Sequence, residues 1–161
     1  MHRHLQPRPP RRARRGFTLV ELMVVVVVTA ILFGMAVPAF VSTFARLRLE
    51  GMVSELSVDL QYARSAAIRH RSDVRLVTAA DGSLYSINQG DLVLKTVILP
   101  QGTSLTGNVN VVFDPLRGTA SVAQLDAVST ALTPRLRAST NATGRVQVCS
   151  PNGDFAGYGR C

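Results

Sequence analysis

Hydrophobic positions follow three different patterns along the chain, and each pattern predicts a different kind of structure. Residues 17–40 are almost continuously apolar, residues 41–71 carry apolar positions at three- and four-residue spacing, and residues 72–161 contain short alternating runs. These patterns indicate in turn a membrane-spanning helix, an amphipathic helix and a set of half-buried strands. The chain is therefore predicted to be an α+β protein, in which a long N-terminal helix packs on a C-terminal antiparallel β-sheet domain.

The apolar segment 17–40 is long enough, at about 24 residues, to span a bilayer as a helix. Its run at 24–28 is β-branched, but in lipid a helix still satisfies the backbone best. Pro38 removes one helical hydrogen bond and predicts a kink near the outer end. The segment carries a single carboxylate, Glu21, which is costly in lipid unless its partner comes from outside the segment.

The second pattern, in residues 41–71, predicts that the helix continues beyond the membrane. One apolar stripe recurs at helical spacing and is expected to pack on the sheet domain. The stripe consists of Leu49, Val53, Leu56, Leu60, Ala63 and Ala67. The charged residues are expected mostly on other faces of the helix, and these are Arg46, Arg48, Glu50, Glu55, Asp59, Arg64 and Arg71.

Residues 72–161 are predicted to form seven short strands separated by turns. Asp81-Gly82 and Gly90-Asp91 mark tight turns, and the stretch 114–118 closes a mid-domain strand. Short strands with regular turn signals favour an antiparallel sheet over βαβ units. The predicted strands are 73–78, 84–87, 92–99, 109–113, 119–125, 132–138 and 145–149.

The formal charge of +8 would invite a nucleic-acid interpretation, but the charge is unevenly distributed. Six of the 18 Lys and Arg residues lie within residues 1–16, which leaves 12 against 10 acidic residues, or roughly +2. A basic stretch before an apolar segment is typical of a targeting leader that stays on the cytoplasmic side. The high isoelectric point is therefore largely a property of the leader.

The two cysteines, Cys149 and Cys161, lie near the C-terminus. If this part of the chain is exported, a disulfide is the expected state, and two free thiols are the alternative. CxxC and His/Cys metal-ligand spacings are absent, and His70 is the only histidine after residue 16. A single histidine without a nearby cysteine or carboxylate cluster makes neither a triad nor a metal site. The sequence therefore predicts no catalytic residue, no cofactor and no metal.

The motif Arg14-Arg15-Gly16-Phe17-Thr18-Leu19-Val20-Glu21-Leu22 resembles the prepilin signal of the type IV pilin superfamily, which includes the pseudopilins of type II secretion. The resemblance implies that a prepilin peptidase cleaves after Gly16, that the new amino terminus at Phe17 is methylated, and that the subunit assembles with other pilins. It also implies a single-pass protein of the bacterial inner membrane with a periplasmic C-terminal domain.

Two other export signals compete with this interpretation. An ordinary secretory signal could end near Gly34-Met35-Ala36, and Arg14-Arg15 could belong to a twin-arginine signal. Neither alternative explains Glu21, and both would leave the amphipathic helix continuous with a discarded peptide.

In a filament, the carboxylate of Glu21 can pair with the Phe17 amine of a neighbouring subunit. Charge attraction is stronger where water is excluded, and a wrong axial register would leave both charges unpaired. The pair is therefore expected to set the register more than it adds stability. The alternative is that Glu21 serves only peptidase recognition or reaches back to the membrane interface.

Three later stretches, 56–68, 111–115 and 143–146, resemble the helix end, the mid-domain strand and the Gly-Arg signature of GspH/FimT-type minor pilins and pseudopilins. Members of this family serve either type IV pili or the type II secretion pseudopilus. The terminal cysteine pair and the Gly-Arg strand favour the pilus branch.

Some pilus members are linked to DNA uptake through basic residues around the Gly-Arg motif. Arg145 matches that motif, but Gln147 stands where a second basic residue would strengthen the case. The neighbouring candidates for a weak, salt-sensitive DNA contact are Arg135, Arg137 and Arg160. A solvated strand face is the simpler alternative for these arginines. A monomeric membrane-anchored receptor is the competing class of function.

Overall fold

The computed structural model describes residues 16–107 and 110–161, except for the side chains at 37–39. The chain divides into two units at Pro38, and all the described strands lie in the second unit. One α-helix, α1, runs over Leu19–His70 and belongs to both units. The described strands are β1 Val74–Thr78, β2 Leu84–Gln89, β3 Leu92–Ile98, β4 Thr103–Gly107, β5 Asn110–Phe113, β6 Ala123–Ser129, β7 Leu132–Thr140 and β8 Val146–Cys149.

The N-terminal part of α1 is helical through the β-branched run at 24–28, as predicted for an apolar environment. Its large apolar side chains are exposed from residue 19 to residue 35. By length and composition, α1 is the helix in the described chain that could cross a membrane. The kink predicted at Pro38 lies among residues 37–39, whose side chains are outside the described part, so it stays a prediction.

The amphipathic stripe predicted for residues 41–71 is confirmed. All six of its residues are fully buried, and Met52 and Ala66 widen the buried face. Asp59 is the exception among the charged residues, because it does not lie on an outer face. Its side chain is buried between α1 and the sheet, where Tyr85 and Lys95 bind it.

The strands form two four-stranded sheets with the orders β3-β2-β1-β5 and β4-β6-β7-β8. Every pairing between named strands is antiparallel, as the turn spacing predicts. The buried stripe of α1 and the inner faces of both sheets share one hydrophobic core, with Tyr85 and Phe113 among its largest fully buried side chains. The prediction of α1 packed on antiparallel sheet is thus confirmed.

Two strand predictions were wrong. The strand β4 was missed, because Gly102 and Gly107 at its ends resemble loop punctuation; both glycines have positive φ values, of 79° and 119°. The strand expected at 119–125 begins instead at Ala123. Residues 119–122 lead from one sheet to the other, with Ala120 bridged to Phe113 at the end of β5. Position 109, where the mid-domain strand was expected to start, lies outside the described residues.

The C-terminal segment is closed by a disulfide between Cys149 and Cys161, whose Cα atoms are 5.1 Å apart. The disulfide is therefore the state found, rather than two free thiols. Within the loop, the buried Ser150 accepts a hydrogen bond from the Phe155 amide and donates one to Asp154. These contacts hold Phe155 in the core next to the helix.

Candidate functional site

The first turn of α1 is capped by Thr18, a residue that the sequence motif contains but that sequence reasoning did not single out. The Glu21 amide donates a hydrogen bond to Thr18 Oγ1 at 3.2 Å. A threonine followed three residues later by a glutamate is a helix-start signal, because both side chains can satisfy the free amides of the first turn. Glu21 also lies in the first turn of α1, where the helix dipole stabilises a negative charge.

The carboxylate of Glu21 is exposed and has no ion-pair partner among residues 16–107 and 110–161. Phe17 lies four residues before it and is 82% exposed. Beyond its chain neighbours, Gly16 has no described atom within 4 Å of an added Cβ. The described chain therefore leaves the motif 16–21 open to contact from other molecules.

The arginines predicted near the Gly-Arg motif do not form one free cationic patch. Arg137 forms a two-pronged pair with Asp126, with Nη2 to Oδ2 at 2.9 Å, and Arg135 approaches the same carboxylate at 3.5 Å. The hydrogen bonds that Arg137 donates to Asp126 raise the pKa of its guanidinium, against a smaller opposing effect of burial. Arg160 is exposed in the disulfide loop and pairs through its backbone with Ser150.

Arg145 is exposed, and the glycine before it has a structural role. A Cβ on Gly144 would stand 2.3 Å from the carbonyl oxygen of Gly118, and its φ of +74° already disfavours other residues. The same carbonyl accepts a hydrogen bond from Arg64 Nε at 2.9 Å. The end of α1, the turn after β5 and the turn after β7 therefore meet at one point.

A buried polar cluster, which sequence reasoning missed, joins α1 to the first sheet. Asp59 accepts a hydrogen bond from the Tyr85 hydroxyl at 2.7 Å, and Lys95 Nζ lies 2.8 Å from each of its carboxylate oxygens. Lys95 also reaches Glu55 at 3.3 Å. Hydrogen bonding to Asp59 raises the pKa of Lys95, and burial raises the pKa of Tyr85. No local sequence signal marks this cluster, because its members are brought together only by packing.

The described residues contain no group of three or more His, Cys, Asp or Glu side chains that could hold a metal ion. His70 lies at the end of α1, next to Arg69. The arrangement as a whole offers exposed apolar helix surface with one unpaired carboxylate, which is suited to contact between proteins in a nonpolar environment.

An apolar N-terminal helix that continues into a helix packed on antiparallel sheet defines a pilin-like subunit. Residues 11–37 match the family model described as the prokaryotic N-terminal methylation motif. Residues 53–157, well over half of the chain, match the family model described as Type II transport protein GspH. The chain therefore belongs to the GspH family, within the type IV pilin superfamily.

Two curated fimbrial proteins of Pseudomonas aeruginosa are each 37% identical to this chain over 70 residues, which make up 44% of this chain. The match spans about half the length of these relatives, at 46%.

Solved structures give the same fold. The type IV minor pilin FimU of Pseudomonas aeruginosa has a TM-score of 0.55 at 22% identity, covering 64% of this chain and 89% of that one. The minor pseudopilin EpsH from the Type 2 Secretion System of Vibrio cholerae has a TM-score of 0.55 at 12% identity, covering 65% and 98%.

Proposed function

We propose that this protein is a minor pilin, a structural subunit that is anchored in the bacterial inner membrane and then incorporated into a type IV pilus. A prepilin peptidase removes residues 1–16, and the new amino terminus at Phe17 is methylated. The C-terminal domain faces the periplasm. The role is structural rather than catalytic.

The observation that carries this proposal is the unpaired carboxylate of Glu21 on an exposed apolar helix. A charge in apolar surroundings costs several kcal/mol unless it is paired. An isolated chain in lipid therefore leaves the carboxylate of Glu21 without a counter-ion. A neighbouring subunit supplies the missing cation when its Phe17 amine lies next to Glu21. Since only one axial offset between subunits pairs both charges, the pair selects the register of assembly.

The experiment uses full-length protein produced in cells that make the filament. The mass of the purified protein should correspond to a chain that begins at Phe17 and carries one added methyl group. The variant Glu21→Val should still enter the membrane fraction but should be missing from sheared filaments. Glu55→Val is the matched control, because Glu55 is an exposed glutamate of α1 outside the apolar segment, and its contact partner Lys95 stays bound to Asp59.

Two results would contradict the proposal. One is a mature protein that still begins at Met1 or that begins beyond the apolar segment. The other is Glu21→Val protein that is found in filaments as often as the unmodified chain.

A pseudopilus subunit of type II secretion is the second candidate, and the GspH family description favours it. The two candidates differ in what deletion of the protein removes. Loss of surface pili with normal secretion supports the pilus role, whereas retention of exoproteins in the periplasm with normal pili supports the secretion role.

A contact with DNA is a further candidate, and the meeting of two turns at Gly118 and Gly144 favours it. Arg117 and Arg145 each lie one residue from that contact, and both are exposed. In a gel shift with full-length protein in detergent, Arg145→Gln should lower affinity and reduce the salt slope by about one. Arg135→Gln is the control, because Arg135 already contacts Asp126. If the unmodified protein gives no gel shift at low salt, DNA binding is removed as a candidate function.

A further inference from the structure

A groove of about 320 Å³ lies beside the first turns of α1 that follow the predicted membrane span. Its helical wall is formed by Val41, Phe44, Ala45 and Arg48, and its other wall by the loops 101–103 and 129–131. We call it the base groove. All of its residues belong to the unit 39–161.

The two loops of the base groove are hydrogen-bonded to each other. The Thr130 amide donates to the carbonyl of Gly102 at 2.9 Å. The Thr103 hydroxyl donates to the carbonyl of Pro100 at 2.6 Å. A Cβ on Gly102 would come within 3.2 Å of Thr130 Oγ1, so the loops are closely apposed.

The side chains of the groove combine an apolar surface with a cation. Val41 and Phe44 are exposed, and no carboxylate lines the groove. The Arg48 guanidinium has no ion-pair partner within the part of the chain that the structure describes. By contrast, Arg46 on the same turn is already paired with Glu50. A ligand with one negative charge and an attached apolar chain matches this combination.

We propose that the base groove holds the phosphate headgroup of an anionic phospholipid, with its apolar part against Val41 and Phe44. The proposal rests on the membrane anchorage proposed above. Because Val41 directly follows the segment 17–40, residues 41–48 cover only about 12 Å of helix beyond its end. The headgroup layer on each side of a bilayer is roughly 5–8 Å deep. Arginine side chains reach back along the helix to such a layer, since their aliphatic stems tolerate apolar surface.

The contact would keep the sheet domain seated on the membrane until the subunit is extracted into a filament. One arginine near an anionic membrane surface is worth about 1 kcal/mol, or about fivefold in an equilibrium constant. An interaction of this size orients the domain without preventing extraction.

The experiment compares full-length protein in nanodiscs of phosphatidylcholine alone with nanodiscs that also contain phosphatidylglycerol. Amide hydrogen exchange in the loops 101–103 and 129–131 should be about fivefold slower with phosphatidylglycerol. Arg48→Gln should abolish this difference, and Arg48→Lys should retain most of it. Arg75→Gln is the matched control, because it removes the same charge from an exposed site outside the groove.

Three results would overturn the proposal. Equal exchange in the two kinds of nanodisc would show that the headgroup is not recognised. Equal loss in Arg48→Gln and Arg75→Gln would show only diffuse attraction. Protection by inorganic phosphate added to phosphatidylcholine nanodiscs would assign the groove to free phosphate. Failure of the anchorage is distinguishable, since the protein would then not enter nanodiscs at all, and the lipid contact would fall with it.

Discussion

Arg46 lies over the ring of Phe155, with its guanidinium carbon 4.9 Å from the ring centroid. Arg46 also donates a hydrogen bond to the carbonyl of Ala156, and the Phe155 ring meets Tyr158 edge to face at a centroid distance of 5.6 Å. These contacts join α1 to the C-terminal loop across 110 residues of sequence. The loop is therefore part of the folded core rather than a loose tail.

Phe155→Ala should destabilise the protein strongly. The ring is only 4% exposed, and truncating a buried phenylalanine costs about 3–5 kcal/mol, because apolar burial is lost and a cavity is left. Denaturant unfolding of the full chain in detergent measures the change. Leu116→Ala is the control, since Leu116 is 86% exposed and should change stability by less than about 0.5 kcal/mol. Equal effects of the two variants would contradict a core role for the loop.

Removal of the disulfide should also lower stability. A double variant with Cys149→Ser and Cys161→Ser loses a crosslink between residues separated by 12 positions, which is worth about 3 kcal/mol. A reducing agent should lower the free energy of unfolding of the unmodified protein by a similar amount. It should leave that of the double variant unchanged. If the reductant has no effect on the unmodified protein, the crosslink does not stabilise this fold.

Removal of Lys95 should leave Asp59 as a poorly compensated buried carboxylate. We expect Lys95→Met to cost about 1–3 kcal/mol, because one partner of a buried hydrogen-bonded group is lost. Combining it with Asp59→Asn should cost less than the sum of the two single changes, since the charge that needed a partner is gone. A double-mutant cycle from denaturant unfolding measures this coupling. Additive effects would mean that the 2.8 Å contacts contribute nothing.

Stability should fall on the alkaline side. The pKa values of Lys95 and Tyr85 are raised in the folded protein, by hydrogen bonding to Asp59 and by burial respectively. A raised folded-state pKa gives stability that is complete below the unfolded-state pKa of about 10 and is lost as the pH rises through the folded-state value. Unfolding free energies between about pH 8 and pH 12 measure the slope.

The variants Lys95→Met and Tyr85→Phe should flatten this alkaline slope, because each removes one titrating group from the cluster. Tyr62→Phe is the matched control, since it removes the hydroxyl of an exposed tyrosine on α1. If Tyr62→Phe changes the alkaline slope of stability as much as Tyr85→Phe does, the buried cluster is not the source of that slope.

Substituting alanine for Gly144 and for Gly51 should have opposite effects on stability. Gly144→Ala should destabilise, because its Cβ would stand 2.3 Å from the carbonyl oxygen of Gly118 and its φ is +74°. Gly51→Ala should stabilise by about 1 kcal/mol, because Gly51 lies on the exposed face of α1 and the added methyl group would meet nothing within 4 Å beyond the helix's own neighbouring backbone. Thermal unfolding of both variants tests the two expectations. If Gly144→Ala does not change stability, the contact between Gly144, Gly118 and Arg64 can adjust to the added methyl group.

The local patterns of the sequence determined the elements whose signals are periodic. The stripe from Leu49 to Ala67 follows from 3.6-residue spacing, and the turns at Gly82 and Gly90 follow from residues that tolerate positive φ. The motif from Gly16 to Glu21 was also legible, because a charge inside an apolar run is conspicuous without any knowledge of the fold.

Only the tertiary structure decided how distant segments meet. Asp59 looked like a surface residue until β2 and β3 placed Tyr85 and Lys95 against it. Arg137 looked free until the register of β6 and β7 set it opposite Asp126. The physical reason is that the strand register and the packing of α1 on the sheets depend on many weak contacts between residues far apart in sequence. Such contacts leave no periodic trace in any one segment, so the partners of buried charges emerge only when the whole core is assembled.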